Sequence, residues 1–350
     1  MEKGYLKKRM EESVDRRKCL KLMGMLGLGV AAPALVAGRS EAGLSGNLHQ
    51  VSKTRPLMGT LVNITILDAS RDKAEKATDK AFERMTEAIG IFDRHTAGTP
   101  ITSLNQEGVL RDVSPEMAAV LHQSAYFHDV SGGAFDITVL PLLELYRKSF
   151  AKSDVSPTAR QVNEKMALVD SDMVHLDQKG VRLKKDGMQI SLDGIAKGYV
   201  VDQAANVIQA LGVKYALVNA GGDIRAMGGN GPEKAWQVGI TDPWGRKKYV
   251  EIVSLNNGAL ATSGSYENFF DKERLHHHII DASKGRSPRE TVSATVLAPT
   301  VMEADALSTA LFILEPHDSI NLVRSLPNAE AMLIARGGRT FRSPGWSTQA

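Results

Sequence analysis

Apolar residues recur along this chain with two different periods, and the segments that carry them do not alternate strictly. That order constrains the fold more than any other feature. Thr60–Leu67 alternates apolar and polar residues and reads as a strand. Arg71–Ile89 puts Ala74, Ala77, Ala81, Phe82, Met85, Ala88 and Ile89 on one helical stripe. Ser114-Pro115 opens a helix through about Val130, with Ser as N-cap and Pro at the first helical position. Ser156-Pro157 starts another, and about Lys148–Ser156 is the one loosely composed stretch. Val181–Leu192 reads as a hairpin turned at Lys185-Asp186-Gly187. Lys197–Leu211 reads as a helix stopped by Gly212. Tyr215–Asn219, Trp236–Thr241, Tyr249–Leu255 and Thr291–Leu297 read as strands. Met302–Ile313 and Asp318–Leu326 read as helices, and Glu330–Ala335 as a closing strand. Such an order suits an α+β domain better than a doubly wound sheet, which needs strand and helix in turn. The 350 residues suffice for one large domain or two closely packed ones.

The first 42 residues read as an address label, and 43–56 as an irregular lead-in. Arg16-Arg17-Lys18 precedes an uncharged run from Leu22 to Gly38 that is short for a membrane span. Small residues follow at Ala37, Ser40 and Ala42, where a peptidase could cut. This is the pattern of a twin-arginine export signal, hence of a periplasmic protein; the alternative is an uncleaved anchor tethering it to the inner membrane. The formal charge of +3 is local to this segment: without it the chain holds 34 basic and 35 acidic residues. Nothing in that balance calls for nucleic acid. The single cysteine, Cys19, excludes an intrachain disulfide and a cysteine zinc site.

Five stretches carry candidate chemistry. Met58-Gly59-Thr60 stands at the mouth of the first strand. His95 through Asn105 is a polar loop. Gly132-Gly133-Ala134-Phe135-Asp136-Ile137-Thr138 joins two glycines to an aromatic and a carboxylate; a turn with a capping Asp explains it equally well. Ser191-Leu192-Asp193-Gly194-Ile195-Ala196-Lys197-Gly198-Tyr199 opens a helix with a lysine in its first turn, where exposed amides favour an anion. It lacks P-loop spacing. Gly221-Gly222-Asp223 makes another close-approach turn. The fifth stretch is a pair, His276-His277-His278-Ile279-Ile280-Asp281 and Glu303 through Thr309. Asp305 and Thr309 are four apart and share a helical face, a carboxylate and a hydroxyl of the kind Mg²⁺ accepts, although a solvated helix pair has the same spacing.

Taken in order, these segments resemble the ApbE family of FAD:protein FMN transferases. The residues that carry the resemblance are Met58-Gly59-Thr60, Leu104-Asn105, Gly133 through Thr138, Lys197-Gly198-Tyr199, Gly221-Gly222-Asp223, Ser263-Gly264-Ser265-Tyr266, His278-Ile279-Ile280-Asp281 and Ala304-Asp305 through Thr309. They span about Leu57 to Leu314, and the domain is placed at 57–345. The resemblance implies an α+β, T-fold-like domain of two lobes, mixed sheet and helix, with a cofactor cleft between them. It implies Mg²⁺-dependent transfer of FMN from FAD, the substrate, to a threonine hydroxyl of an acceptor flavoprotein, with release of AMP. The acceptor would be a redox-complex subunit carrying a threonine flavinylation motif, with no nucleic-acid partner and at most a peripheral or anchored relation to a membrane.

By position, the resemblance makes His278 the base. It places Met58, His95, Ala134, Phe135, Asp136, Ser191, Asp193, Lys197 and Ile280 around the cofactor. Mg²⁺ would be held by the Gly194 carbonyl, Asp305 and Thr309, with Ser308 standing where some members carry a second acid. The chain departs from the family at Ser191, where Asp is frequent, and at Asp193, where Gly is frequent. Either the carboxylate has moved two residues along the turn or a cofactor contact is weakened. Two other functions fit the same residues: an FAD pyrophosphatase, with water replacing threonine, and a non-catalytic FAD-binding protein.

Overall fold

The structure, a computed structural model, describes residues 48–346 except Glu267. The expected export signal at 1–42 lies outside the described residues. Strands β1 (His49–Leu57) and β2 (Thr60–Asp68) pair around Met58-Gly59. Both turn residues have positive φ, 51° and 69°, as a two-residue type I′ hairpin demands. Residues 49–56 of the expected irregular lead-in are therefore strand. In β1 only Val51 is buried, and Lys53, Arg55 and Pro56 mark it as an edge strand, which is why it lacks a strand's apolar signature.

Helix α1 (Arg71–Phe92) follows, capped by Ser70, and buries the expected stripe except Ile89, which is half-buried. The expected polar loop at 95–105 is half helix: Thr99 and Pro100 open α2 (Pro100–Glu107), the same cap-and-proline start that opens α3 (Pro115–Val130). Between them lies β3 (Val109–Leu110). A 3₁₀ turn at Ile137–Val139 leads into α4 (Leu140–Ser153), and α5 (Ala159–Met166) starts from a Thr158–Gln161 capping box. The small sheet orders β3, β5 (Gly180–Leu183) and β4 (Val174–Asp177). This corrects the expected hairpin at 181–192. β5 turns back onto β4 through Gln178-Lys179, and Gly180 is required where a Cβ would lie 2.2 Å from the Leu110 carbonyl. The stretch 188–192 is pinned instead by Asn105, whose amide donates to the Ile190 carbonyl and whose oxygen accepts from the Ile190 amide.

Helix α6 (Ala196–Ala210) is followed by β6 (Tyr215–Ala220) and β7 (Asp223–Met227), then the hairpin of β8 (Trp236–Thr241) and β9 (Tyr249–Leu255). β10 (Gly258–Gly264), β11 (Thr291–Ala298), α7 (Val301–Ile313), α8 (Pro316–Ser325), β12 (Glu330–Ala335) and β13 (Thr340–Arg342) complete the chain. The main sheet runs β1-β2-β6-β7-β10-β11-β12-β13, antiparallel at every pairing. The class is α+β, as expected.

Alternation gives this sheet two covered faces. Val62, Ile64, Ile66, Ala216, Val218, Ala294 and Val296 join α1, α6 and α7 in one core. Leu67, Ile224, Leu260 and Val292 meet Trp236, Val238 and Val253 of the β8–β9 hairpin in a second core. Helices α6 and α7 cross at Gly198, where a Cβ would stand 2.4 Å from the Val301 carbonyl. Asp202 of α6 then accepts from the first amides of α7, those of Val301 and Met302.

Candidate active site

A cleft opens where this crossing meets the ends of β7 and β10. One wall carries Ser191, Gly194, Lys197, Asp223, Thr262, Ser263, Asp305 and Thr309, and Asp193 joins Arg94 at the rim. The other carries Phe135, Asp136, Leu143, Glu144, Arg147 and Arg94, and the loop of His278 and Ile280 forms the back.

The first wall is built around two helix starts. No side chain of its own caps α6; Asp305 reaches across from α7 and accepts from the Gly198 amide at 3.0 Å. Lys197 pairs with Asp223 at 2.9 Å, and both carboxylates are buried. Burial pushes the Asp305 carboxyl well up, and the charge of Asp223 adds to this; Lys197 opposes it. Asp223 is raised by burial against the pull of Lys197. Two buried carboxylates around one ammonium leave a negative excess that a cation would relieve. The oxygen donors beside it are hard ones. Gly194 abuts Thr309, with a hypothetical Cβ 3.1 Å from the Thr309 Oγ1, and Ser263 Oγ lies 3.4 Å from that hydroxyl. Asp305, Thr309 and the Gly194 carbonyl therefore fit Mg²⁺ in donor chemistry. Ser308 does not reach the cleft wall. It sits behind it, 2.8 Å from Ser263 Oγ and back-bonded to the Asp305 carbonyl.

The three histidines separate cleanly. His276 stacks on Tyr146 at 5.3 Å and lies tilted against Phe150. His277 is buried against Phe312; its Nε2 donates to the Pro288 carbonyl while Nδ1 accepts from the Ile279 amide. That arrangement requires a neutral ring, and burial lowers its pKa to about 4. His278 lines the cleft. Its Nδ1 donates to the Asn268 carbonyl at 3.4 Å, which leaves Nε2 to take a proton. Burial holds its pKa below the ordinary value, Lys197 adds to that, and the Asn268 contact and Asp193 oppose it.

Other expected cofactor residues are placed differently. Asp136 lines the cleft, yet its oxygens are occupied by the Thr138 amide and hydroxyl and by the Ser171 amide and hydroxyl, so it is a structural cap. His128 supports the same turn by donating to the Phe135 carbonyl. Phe135 presents its ring to the cleft, while Ala134 is buried one residue outside it. Met58 forms the β1–β2 turn and packs on the main core. Thr60 beside it explains Gly221, where a Cβ would meet the Thr60 hydroxyl at 2.4 Å. Two of the sequence segments thus meet as packing. His95 is exposed, and its neighbour Arg94 is the residue that reaches the cleft.

Arg94 also answers the question raised by Asp193. Its Nε donates to the Asp193 carboxylate at 2.8 Å and its guanidinium lies 3.9 Å from Glu144, which also pairs with Arg147. Asp193 is therefore a rim residue held by Arg94. Ser191 remains on the wall, accepting from the Asp193 amide. Ile280 lies against Leu142 and Tyr146 while still lining the cleft. Sequence reading did not find Arg94, Glu144 or Arg147, whose spacing looks like surface charge. A shallow depression near Arg324 and Glu330 gathers no such chemistry, since Glu330 is occupied by Ser343 and the Gly345 amide.

An antiparallel sheet with its helices gathered on one face, and a cleft of oxygen donors at their crossing, is a fold that this chain shares with a solved flavin transferase. Residues 58–333 match the ApbE family, and the chain belongs to that family. It is 30% identical to the FAD:protein FMN transferase of Haemophilus influenzae, over 89% of this chain and 94% of the relative. It is 29% identical to the one from Treponema pallidum, over 89% and 91%. The ApbE protein of Thermotoga maritima superposes with a TM-score of 0.76 at 29% identity, over 85% and 97% of the two chains. The flavin transferase ApbE of Vibrio cholerae gives 0.75 at 25% identity, over 85% and 98%.

Proposed function

We propose that this chain is an FAD:protein FMN transferase that moves FMN onto a threonine hydroxyl of an acceptor flavoprotein and releases AMP. The convergence of His278, Lys197, Asp305 and Thr309 in one cleft carries this reading. The threonine oxygen forms a bond to the FMN phosphorus of FAD, the pyrophosphate bond breaks, and AMP leaves. His278 Nε2 takes the hydroxyl proton; a ring kept neutral by burial is a base at neutral pH. Lys197 offers its ammonium to the phosphates, set by Asp223. Asp305, Thr309 and the Gly194 carbonyl would hold Mg²⁺, with Ser308 orienting Ser263 beside them. When bound there, the ion would supply neutralisation of charge on the pyrophosphate. Phe135 and Ile280 offer apolar surface to the cofactor's rings.

The test is incubation with FAD, Mg²⁺ and an acceptor flavoprotein. Protein-bound FMN that survives denaturation identifies a transferase. Free FMN with AMP identifies a pyrophosphatase, and unaltered FAD identifies a binding protein; either result overturns the reading. Residues 16–38 support export to the periplasm by the twin-arginine route. Arg16→Lys with Arg17→Lys should leave the precursor in the cytoplasm, and undiminished export of the double variant would refute that route.

A further inference from the structure

Seven large hydrophobic side chains stand exposed among the described residues, and three of them fall within one short stretch: Trp244, Val250 and Ile252, at 39%, 38% and 51%. This stretch is the turn and outer face of the β8–β9 hairpin, whose inner face forms the second core. None of its residues lines the cleft. Three consecutive cations, Arg246, Lys247 and Lys248, stand exposed on the same turn.

The turn is built, not loose. Asp242 is buried and accepts from the amides of Trp244 and Lys247, both at 3.0 Å. Arg246 lies over the Trp244 ring at 4.4 Å, and Lys248 near the Tyr249 ring at 5.1 Å. The one acid between 243 and 252 is Glu251, and it is withdrawn. Its carboxylate is occupied by Arg342 and by the Trp346 indole, both at 2.7 Å. The surface therefore shows an indole, two aliphatic side chains and three cations, with no exposed acid among residues 243–252.

We propose that this hairpin face docks on an anionic lipid surface. Charge complementarity favours that occupant. Lysine and arginine gain from negative headgroups, while an indole and flanking aliphatics suit the boundary between headgroup and acyl chain. A nucleic acid would satisfy the cations but leave Val250 and Ile252 in water. A hairpin face of this kind would lie on a membrane surface, and no helix among the described residues is long and apolar enough to cross one. Nothing in the proposal depends on which flavin chemistry the cleft performs.

The test is co-sedimentation of the full chain with phosphatidylcholine vesicles made with and without phosphatidylglycerol. The full chain carries an apolar stretch at 22–38, so the readout is the difference between variants. Wild type should partition more strongly onto the anionic vesicles, and less so as salt is raised. Each cation near such a surface contributes about fivefold, so Lys247→Gln with Lys248→Gln should weaken partition about 25-fold at low salt. Trp244→Ala should weaken it on both vesicle types. All three substitutions lie outside the cleft and should leave turnover of FAD in solution unchanged, which also reports that the variants fold. Equal partition of wild type and both variants overturns the proposal. So does a loss of modification of an acceptor protein in lipid-free solution with vesicle binding intact, because the face would then dock protein.

Discussion

The cleft has two walls of opposite character. At the α6–α7 crossing, Asp223 and Asp305 are buried, Asp305 on the Gly198 amide and Asp223 against the half-buried Lys197. At the rim, Arg94, Glu144, Arg147 and Asp193 hold one another by side-chain ion pairs, and the Asp193 side chain is 54% exposed. In the first wall each charge has one place it can be. In the second, side chains are held by one another, and water competes at Arg147 and Asp193, 60% and 54% exposed. Chemistry that needs atoms placed within a fraction of an ångström belongs to the first wall, and adjustable contact with an incoming substrate to the second.

The sharpest way to break this contrast is Asp305→Asn. The variant keeps the shape and an acceptor for the Gly198 amide but loses the charge. Transfer activity with Mg²⁺ should fall below detection. In the presence of EDTA the melting temperature should equal or exceed that of wild type, because burial and Asp223 both oppose a charged Asp305. Retained activity, or a collapse of the metal-free melting temperature, would show that Asp305 is a fold residue first.

Next comes His278→Asn, expected to slow single-turnover formation of covalent FMN by about 10²–10⁴-fold with FAD affinity near normal. His277→Gln should leave that rate within a few-fold, since its ring faces Phe312 and Pro288 and not the cleft. A dead His277 variant beside a fully active His278 variant would reverse the assignment.

His277 offers a third test, through stability. Its ordinary pKa of 6.5 falls to about 4 in the folded chain. The unfolded chain therefore binds the proton first, and stability drops as pH falls from 6.5 towards 4. The gap corresponds to about 3 kcal/mol. Urea unfolding at pH 7 and pH 4 should show this acid-induced loss reduced by about that amount in His277→Gln. Parallel losses in the two proteins would mean that the buried ring titrates normally.

The same contrast explains what could be read from sequence. Asp305, Thr309, Gly194 and Lys197 were legible because helical spacing and a strand–turn–helix start fix them locally. β1 was not, because an edge strand armed with Lys53, Arg55 and Pro56 hides its period. Asp136 was legible as a residue, and its local sequence fits a cap and a cofactor contact alike. Its partner Ser171 is distant in sequence, so nothing local tells a cap from a ligand. Arg94 was missed for the same reason: Asp193 lies 99 residues away, and only the fold joins them.

The smallest expected effect lies at that pair. Arg94→Ala removes a cation from the rim while leaving the α6–α7 crossing intact. Rim contacts meet the bound substrate and the transition state alike, so their loss should appear in KM for FAD, by a few-fold, with kcat nearly unchanged. Asp193→Ala releases the guanidinium and should leave KM the same or lower. In a double-mutant cycle on stability, the pair should couple by about 0.2–1 kcal/mol, as exposed ion pairs do, and less at high salt. A fall in kcat of more than about tenfold in Arg94→Ala, on the scale of a lost catalytic group, would place Arg94 with the reacting atoms and erase the distinction between the two walls.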